Sequence, residues 1–181
     1  NQATAWLGMQ IGPDEVVPRG EVGEIIAGLR NEEAFEGYWR RPDADEKALR
    51  DGWYFIGDMG YEDEDGDLYV TGRVDDMIIS GGENIYPAEV EDVLARHPQI
   101  VESAVVGAED PKWGQVVTAF VVPAGPELTA EEVDRHCRAQ RDFSDFKRPR
   151  RVIFVRRIPK TPSGKILRRK LRAGEYEPYS P

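Results

Sequence analysis

The apolar pattern changes character at Gly72-Arg73-Val74-Asp75, and that change constrains the fold more than any other feature of the chain. Beyond it, short apolar blocks alternate with helical spacing. Met77-Ile78-Ile79 reads as a short strand running into Ser80-Gly81-Gly82. Pro87 suits the first position of a helix, where no backbone N–H is needed. Val90, Val93, Leu94 and His97 then recur at i, i+3, i+4 and i+7, and Pro98 closes the helix. Val101 to Gly107 and Gln115 to Val122 read as buried strands. Thr129 with Glu132 forms a capping box that opens a helix through Val133, His136 and Cys137. Val152 to Val155 is a third buried strand, and a last basic helix is expected near Lys165, after Pro159 and Pro162. The pattern predicts an α+β domain over 74–181, a short mixed sheet flanked by helices.

Residues 1–73 do not share this order. Glu21 to Ile26 reads as an edge strand and Pro42 to Leu49 as a short helix. Trp53 to Asp58 continues into Met59-Gly60-Tyr61, an acidic turn follows from Asp63 to Asp67, and Leu68 to Gly72 returns as a strand, so the two strands predict a hairpin. This stretch holds too little helix for a core of its own. It reads as the β-rich edge of a larger domain lying upstream. The start Asn1-Gln2-Ala3-Thr4 has no initiator Met, no basic region and no apolar run, which points to a piece of a longer chain without a signal peptide.

Hydrophobic residues at 40% and charged residues at 32% describe a globular protein rather than a disordered one. No apolar run reaches the length of a membrane span. The single Cys137 excludes an intrachain disulfide and a cysteine-based metal site, and a reducing cytoplasm is the natural expectation. The net charge of -10 hides a segregation: residues 147–172 hold 12 Lys/Arg and no acid, half of the 24 basic residues. Such a block predicts an anionic partner, whether nucleic acid, membrane phosphate or a polyphosphate cofactor, unless it is simply a solvated basic helix.

Three segments carry the chemistry: Gly57-Asp58 at the end of an aromatic strand, the run from Gly72 to Glu91, and Pro159-Lys160-Thr161-Pro162-Ser163-Gly164-Lys165-Ile166-Leu167-Arg168-Arg169. Read from the residues alone, Gly57-Asp58 is equally an ordinary tight turn and Lys165 equally the start of a basic helix. Gly164-Lys165 is no P-loop, because residue 159 is proline and residue 166 is isoleucine. Together, in this order and spacing, the three segments resemble the adenylate-forming superfamily of acyl- and aryl-CoA synthetases, peptide-synthetase adenylation domains and luciferases.

The resemblance implies that an acid is activated by ATP as an acyl-adenylate and that a thiol then displaces AMP. It places Asp58 on the ribose hydroxyls, Arg73 at the nucleotide and Lys165 on the α-phosphate, where a fixed cation meets the developing charge. It makes Asp75 the hinge on which the small domain swings between half-reactions, and gives Ser80, Gly81, Gly82 and Glu83 to the thiol tunnel. Trp113, Phe146, Arg148 and Arg150 match positions that meet coenzyme A in chlorobenzoate-type ligases. Trp113 as a core residue and the arginines as solvated side chains remain the plain alternative. The implied cofactors are ATP/AMP, coenzyme A and Mg²⁺, with no metal ligand in this chain. The metal's glutamate, the phosphate loop and the acid pocket belong to an upstream N-terminal domain. The implied partners are a small carboxylic acid and CoA, with no nucleic acid and no membrane span. The oligomeric state stays open. The family usually places Thr two residues before the aspartate, where this chain has Ile56. A carrier-protein-directed adenylation enzyme and a non-catalytic anion- or RNA-binding module remain the alternative readings.

Overall fold

The computed structural model describes residues 5–8, 17–30 and 35–180, so the head at Asn1 to Thr4 lies outside the described residues. The chain forms two compact units, residues 1–75 and 76–181.

In the first unit the strands are β1 (Ala5–Gly8), β2 (Gly23–Gly28), β3 (Leu49–Arg50), β4 (Trp53–Glu62) and β5 (Leu68–Arg73), with α1 (Pro42–Ala48) before β3. All pairings are antiparallel, and β4 carries β2 on one side and both β3 and β5 on the other. The predicted β4–β5 hairpin forms, and Asp63 Oδ1 accepts from the N–H groups of Asp65 and Asp67 at 3.0 and 2.9 Å, which closes the acidic turn. The strand expected at the edge is instead interior: β2 runs between β1 and β4, and Ile25 and Ile26 are both buried. The expectation failed because β1 carries no legible strand signature of its own.

The second unit is a three-layer arrangement. Its strands are β6 (Ile78–Ser80), β7 (Glu83–Ile85), β8 (Ile100–Asp110), β9 (Gly114–Pro123) and β10 (Arg151–Phe154); its helices are α2 (Pro87–Ala95), α3 (Ala130–Arg138) and α4 (Arg168–Arg172). The long β8–β9 hairpin is antiparallel, whereas β10 lies parallel to β9, so the sheet is mixed as expected. Alternation along the strands serves two cores. Val105, Val117, Ala119 and Val121 face Val90, Val93 and Leu94 of α2 and Val133 and Cys137 of α3. Ala104, Val106 and Phe120 face the opposite layer, with Val155, Ile158 and Leu171. A strand buried on both faces is apolar at nearly every position, and from Val116 to Val121 only Thr118, itself buried, interrupts the apolar run. The Thr129–Glu132 capping box is formed in both directions.

One boundary moves. The last helix starts at Arg168, so Lys165 stands in the loop ahead of it rather than at its first turn.

Candidate functional site

The residues singled out from the sequence fall into three places. In the first unit, β4 and β5 pair Asp58 with Arg73, and Arg73 Nη1 donates to Asp58 Oδ1 at 2.7 Å. Both side chains stay partly open to solvent. The carboxylate thus keeps accepting capacity beyond its arginine partner. Glu24, which the sequence did not single out, pairs through β2 with Met59, beside Asp58. Burial raises its pKa, opposed by Arg50 and by the N–H of Gly57, while Asp75 and Arg73 act on it more weakly. Ile56 occupies the position where a hydroxyl was expected. Asp75 closes this unit, in the middle of the short helical turn from Val74 to Asp76, and it is exposed.

The second place is the tip of the loop from Lys160 to Ile166. Lys160 and Ile166 bridge, Thr161 N–H donates to the Lys165 carbonyl at 2.8 Å, and Gly164 N–H donates to the Thr161 carbonyl at 2.9 Å. Pro162 fits the first turn position, and Gly164 adopts the left-handed φ of 87°. This is a three-residue hairpin with a glycine bulge. The Thr161 hydroxyl accepts from the Lys165 N–H at 3.0 Å, which stiffens the tip further. The Lys165 ammonium is exposed there, on a short, internally bonded support.

The basic block is largely spent inside the second unit. Of its twelve residues, only Arg156, Lys165 and Arg169 have no acidic partner among the described residues; the acids that hold the others all lie between Asp76 and Glu177. The segregation visible along the chain is therefore cancelled in space. A general polyanion surface is not what this stretch builds.

The third place joins two groups that the sequence kept apart. Ser80 pairs with Gly114, and the Gly81 N–H donates to the Trp113 carbonyl at 2.9 Å. Gly81 has φ 61°, and a Cβ built on it would stand 2.8 Å from Trp113 Cε3. The indole edge lies against bare backbone, with 48% of the residue still exposed. Asp110 Oδ1 accepts from the N–H groups of Lys112 and Trp113 and so shapes the turn that presents the indole. Lys112 Nζ stands 4.5 Å from the ring centroid. Gly82 and Glu83 are exposed beside it, Glu83 opening β7.

Arg150 and Phe146 are exposed, and the Arg150 N–H donates to the Val117 carbonyl. That is three residues of extended strand from Gly114, or about 10 Å. Arg148 is a correction. It is 4% exposed, and its guanidinium is filled by Asp145, at 2.7 Å from Nε, and by Asp134 on Nη1. It is a buried brace between α3 and the segment before β10, with no face left for a ligand phosphate. The sequence shows Lys147-Arg148-Pro149-Arg150 as one cluster because it cannot show which arginine turns inward.

Among the described residues no group of three or more His, Cys, Asp or Glu side chains could hold a metal ion, and no helix is long and apolar enough to cross a membrane.

The 76–181 unit thus combines a mixed sheet covered by helices with a lysine at the tip of a glycine-containing hairpin, and the 1–75 unit carries a paired aspartate and arginine near its end. Residues 89–165 match the family model of the AMP-binding enzyme C-terminal domain, and the chain belongs to the adenylate-forming superfamily. A 2-succinylbenzoate–CoA ligase from Bacillus mycoides is 47% identical over 166 residues, which is 91% of this chain and 33% of that protein. Among solved structures, o-succinylbenzoate CoA synthetase from Bacillus subtilis with its acyl-adenylate intermediate has a TM-score of 0.80 at 38% identity, over 93% of this chain and 33% of that one. ATP-bound MatB from Rhodopseudomonas palustris has a TM-score of 0.83 at 34% identity, over 94% and 33%. The chain thus spans about a third of the length of the relatives it matches.

Proposed function

We propose that this chain is the C-terminal third of an ATP-dependent acyl- or aryl-CoA synthetase, converting an acid, ATP and CoA to acyl-CoA, AMP and pyrophosphate through an acyl-adenylate. Residues 1–73 are read as the end of the large AMP-binding domain and 74–181 as its mobile lid, pivoting at Asp75. The observation that carries the reading is Lys165: an exposed ammonium without an acidic partner among the described residues, on a rigid hairpin tip, amid a block whose other cations are mostly neutralised. When a carboxylate attacks the α-phosphorus, charge spreads over the transferring phosphoryl group, and a positioned cation stabilises it without reorganisation. Asp58 has accepting capacity left for a ribose diol, and Arg73 holds it in place. The 2-succinylbenzoate–CoA ligases among the relatives favour an aromatic dicarboxylic acid as substrate, although the acid pocket would lie in the N-terminal domain. That domain would also supply the Mg²⁺ ligand. The test is the full-length enzyme with Lys165→Ala. Adenylation, read as pyrophosphate release, should slow about a hundredfold or more, the scale of losing one preorganised charge partner. Thioester formation from supplied acyl-adenylate should survive; an equal loss in both half-reactions would remove Lys165 from this role.

The CoA reading is favoured over a carrier-protein acceptor by the half-exposed indole on Gly81 with a cation at Lys112 and an exposed arginine at Arg150 about 10 Å along the strand. An aromatic face plus separated cations suits a nucleotide bearing several phosphates.

A further inference from the structure

Arg168, three residues after Lys165, enters the structure as the centre of an ion cluster. Its Nη2 donates to both oxygens of Glu91 at 2.7 and 2.8 Å, its Nη1 stands 3.6 Å from Asp76 Oδ2, and its Nε donates to the Val105 carbonyl at 3.2 Å. Glu91 Oε1 in turn accepts the Val105 N–H at 2.8 Å. The two side chains thus close the outer edge of β8, where strand pairing ends. Arg172 reaches the other oxygen of Asp76 at 3.2 Å. The side chains of Arg168, Glu91 and Asp76 are all less than a quarter exposed, so solvent screens this cluster weakly.

The cluster has ends that matter. Asp76 is the first residue of the 76–181 unit. Arg168 is bound rigidly to the Lys165 hairpin, because the Leu167 N–H donates to the Pro159 carbonyl at 2.8 Å and Lys160 bridges Ile166. We propose that Arg168 is a positioning residue: clamped by Glu91 and Asp76, it fixes the Lys165 hairpin to the residue at which the unit begins. Asp76, the residue next to the pivot, and the lysine then move as one body. The inference rests on reading Lys165 as the adenylating lysine. A tether of this kind is what a moving domain needs, since a lysine misplaced by about 1 Å can cost on the order of a hundredfold in rate.

The experiment compares full-length parent enzyme with Arg168→Met, Arg168→Lys and Asp76→Asn, each assayed separately for adenylation and for thioester formation from supplied acyl-adenylate. Arg169→Met is the control, because Arg169 carries the same charge next door and has no acidic partner among the described residues. Arg168→Met should slow adenylation about tenfold to a hundredfold while thioester formation changes by less than about twofold. Arg168→Lys, which keeps the charge but not the fork, should fall between. Asp76→Asn should shift the ratio in the same direction, and it serves alone if Arg168→Met does not fold. Arg169→Met should match the parent. Equal losses in both half-reactions, or no loss, would overturn the positioning role while leaving Lys165 in place. If Lys165→Ala leaves adenylation intact, the lysine reading itself falls and takes the tether with it.

Discussion

Arg73 holds Asp58 across the β4–β5 pair at 2.7 Å, with both groups still partly open. The two side chains therefore act as one unit rather than as independent groups. The arginine fixes the carboxylate's direction before anything binds, and the carboxylate keeps the guanidinium from wandering into solvent. Each charge-assisted hydrogen bond to a ribose hydroxyl is worth roughly 1.5–3 kcal/mol when sheltered. In the full-length enzyme, Asp58→Ala should raise the KM for ATP by on the order of tenfold to a hundredfold. Arg73→Lys should also weaken ATP binding, because an ammonium cannot reproduce the fork. An Asp58→Ala enzyme with the parent's KM for ATP would place the ribose elsewhere.

Gly81 and Trp113 offer a test of the thiol side. An alanine at Gly81 meets two obstacles: a left-handed φ that costs a residue with a Cβ about 1–2 kcal/mol, and an indole carbon 2.8 Å from where that Cβ must go. The indole has to shift. Gly81→Ala should therefore raise the KM for CoA about tenfold and change the fluorescence contributed by Trp113, identified by difference from Trp113→Phe. Adenylation should be unaffected. Unchanged thioester kinetics in Gly81→Ala would show that the indole's position is irrelevant to the thiol.

The capped helix α3, the Val90–Val93–Leu94 stripe of α2 and the strands β8 and β9, though not their pairing, were legible in the sequence because local chemistry decides them: a capping box, a helical period and long apolar runs. The interior place of β2 was not legible, since it depends on a partner strand with no signature. The same limit governs the site. The motifs singled out Asp58, Arg73 and Lys165, which the structure sets as an ion pair and a hairpin tip, but charge counting along 147–172 implied a ligand surface that the fold dismantles. Asp134 and Asp145, from an acidic stretch, take Arg148; Glu91 and Asp76, far upstream, take Arg168. Long-range neutralisation has no sequence period, so the tether at Arg168 and the brace at Arg148 could be seen only in three dimensions.

His97 and His136 are the protein's two histidines, and their rings meet edge to face with centroids 4.9 Å apart. His97 Nδ1 accepts the Gln99 N–H at 3.2 Å, and His136 Nε2 contacts the Val93 carbonyl at 2.9 Å. Burial lowers the His97 pKa below 6.5 and His136 lowers it further, while Glu132 opposes them. A base with a depressed folded pKa contributes stability that is complete above its unfolded value and is lost as the pH falls. The melting temperature should decline as the pH drops below 6.5, ahead of the carboxylate region. The slope in that window should flatten in His97→Gln. Equal slopes in parent and variant between about pH 5 and 6.5 would sink the assignment.

Arg148 and Arg150 look like equals in the sequence and have different places in the fold. Arg148 is buried between Asp134 and Asp145, whose pKa values it helps to depress, and Arg150 is exposed with a loose 3.7 Å approach to Asp145. Removing Arg148 forfeits two charge-assisted bonds and opens space under α3. Arg148→Ala should cost about 2–4 kcal/mol, a fall in melting temperature on the order of 10 °C or more for a unit of this size. Arg150→Ala should leave the melting temperature within about a degree of the parent, because a weak exposed pair is worth little. Its effect should appear in catalysis instead, as a rise of about tenfold in the KM for CoA with adenylation untouched. Dephospho-CoA, lacking the ribose 3′-phosphate, should lose less in Arg150→Ala than in the parent. The measurement pairs thermal unfolding with a CoA titration of thioester formation for the two variants. If Arg148→Ala melts with the parent, the brace is not structural; if Arg150→Ala titrates with the parent, the CoA phosphates lie elsewhere and a carrier-protein acceptor becomes the better reading.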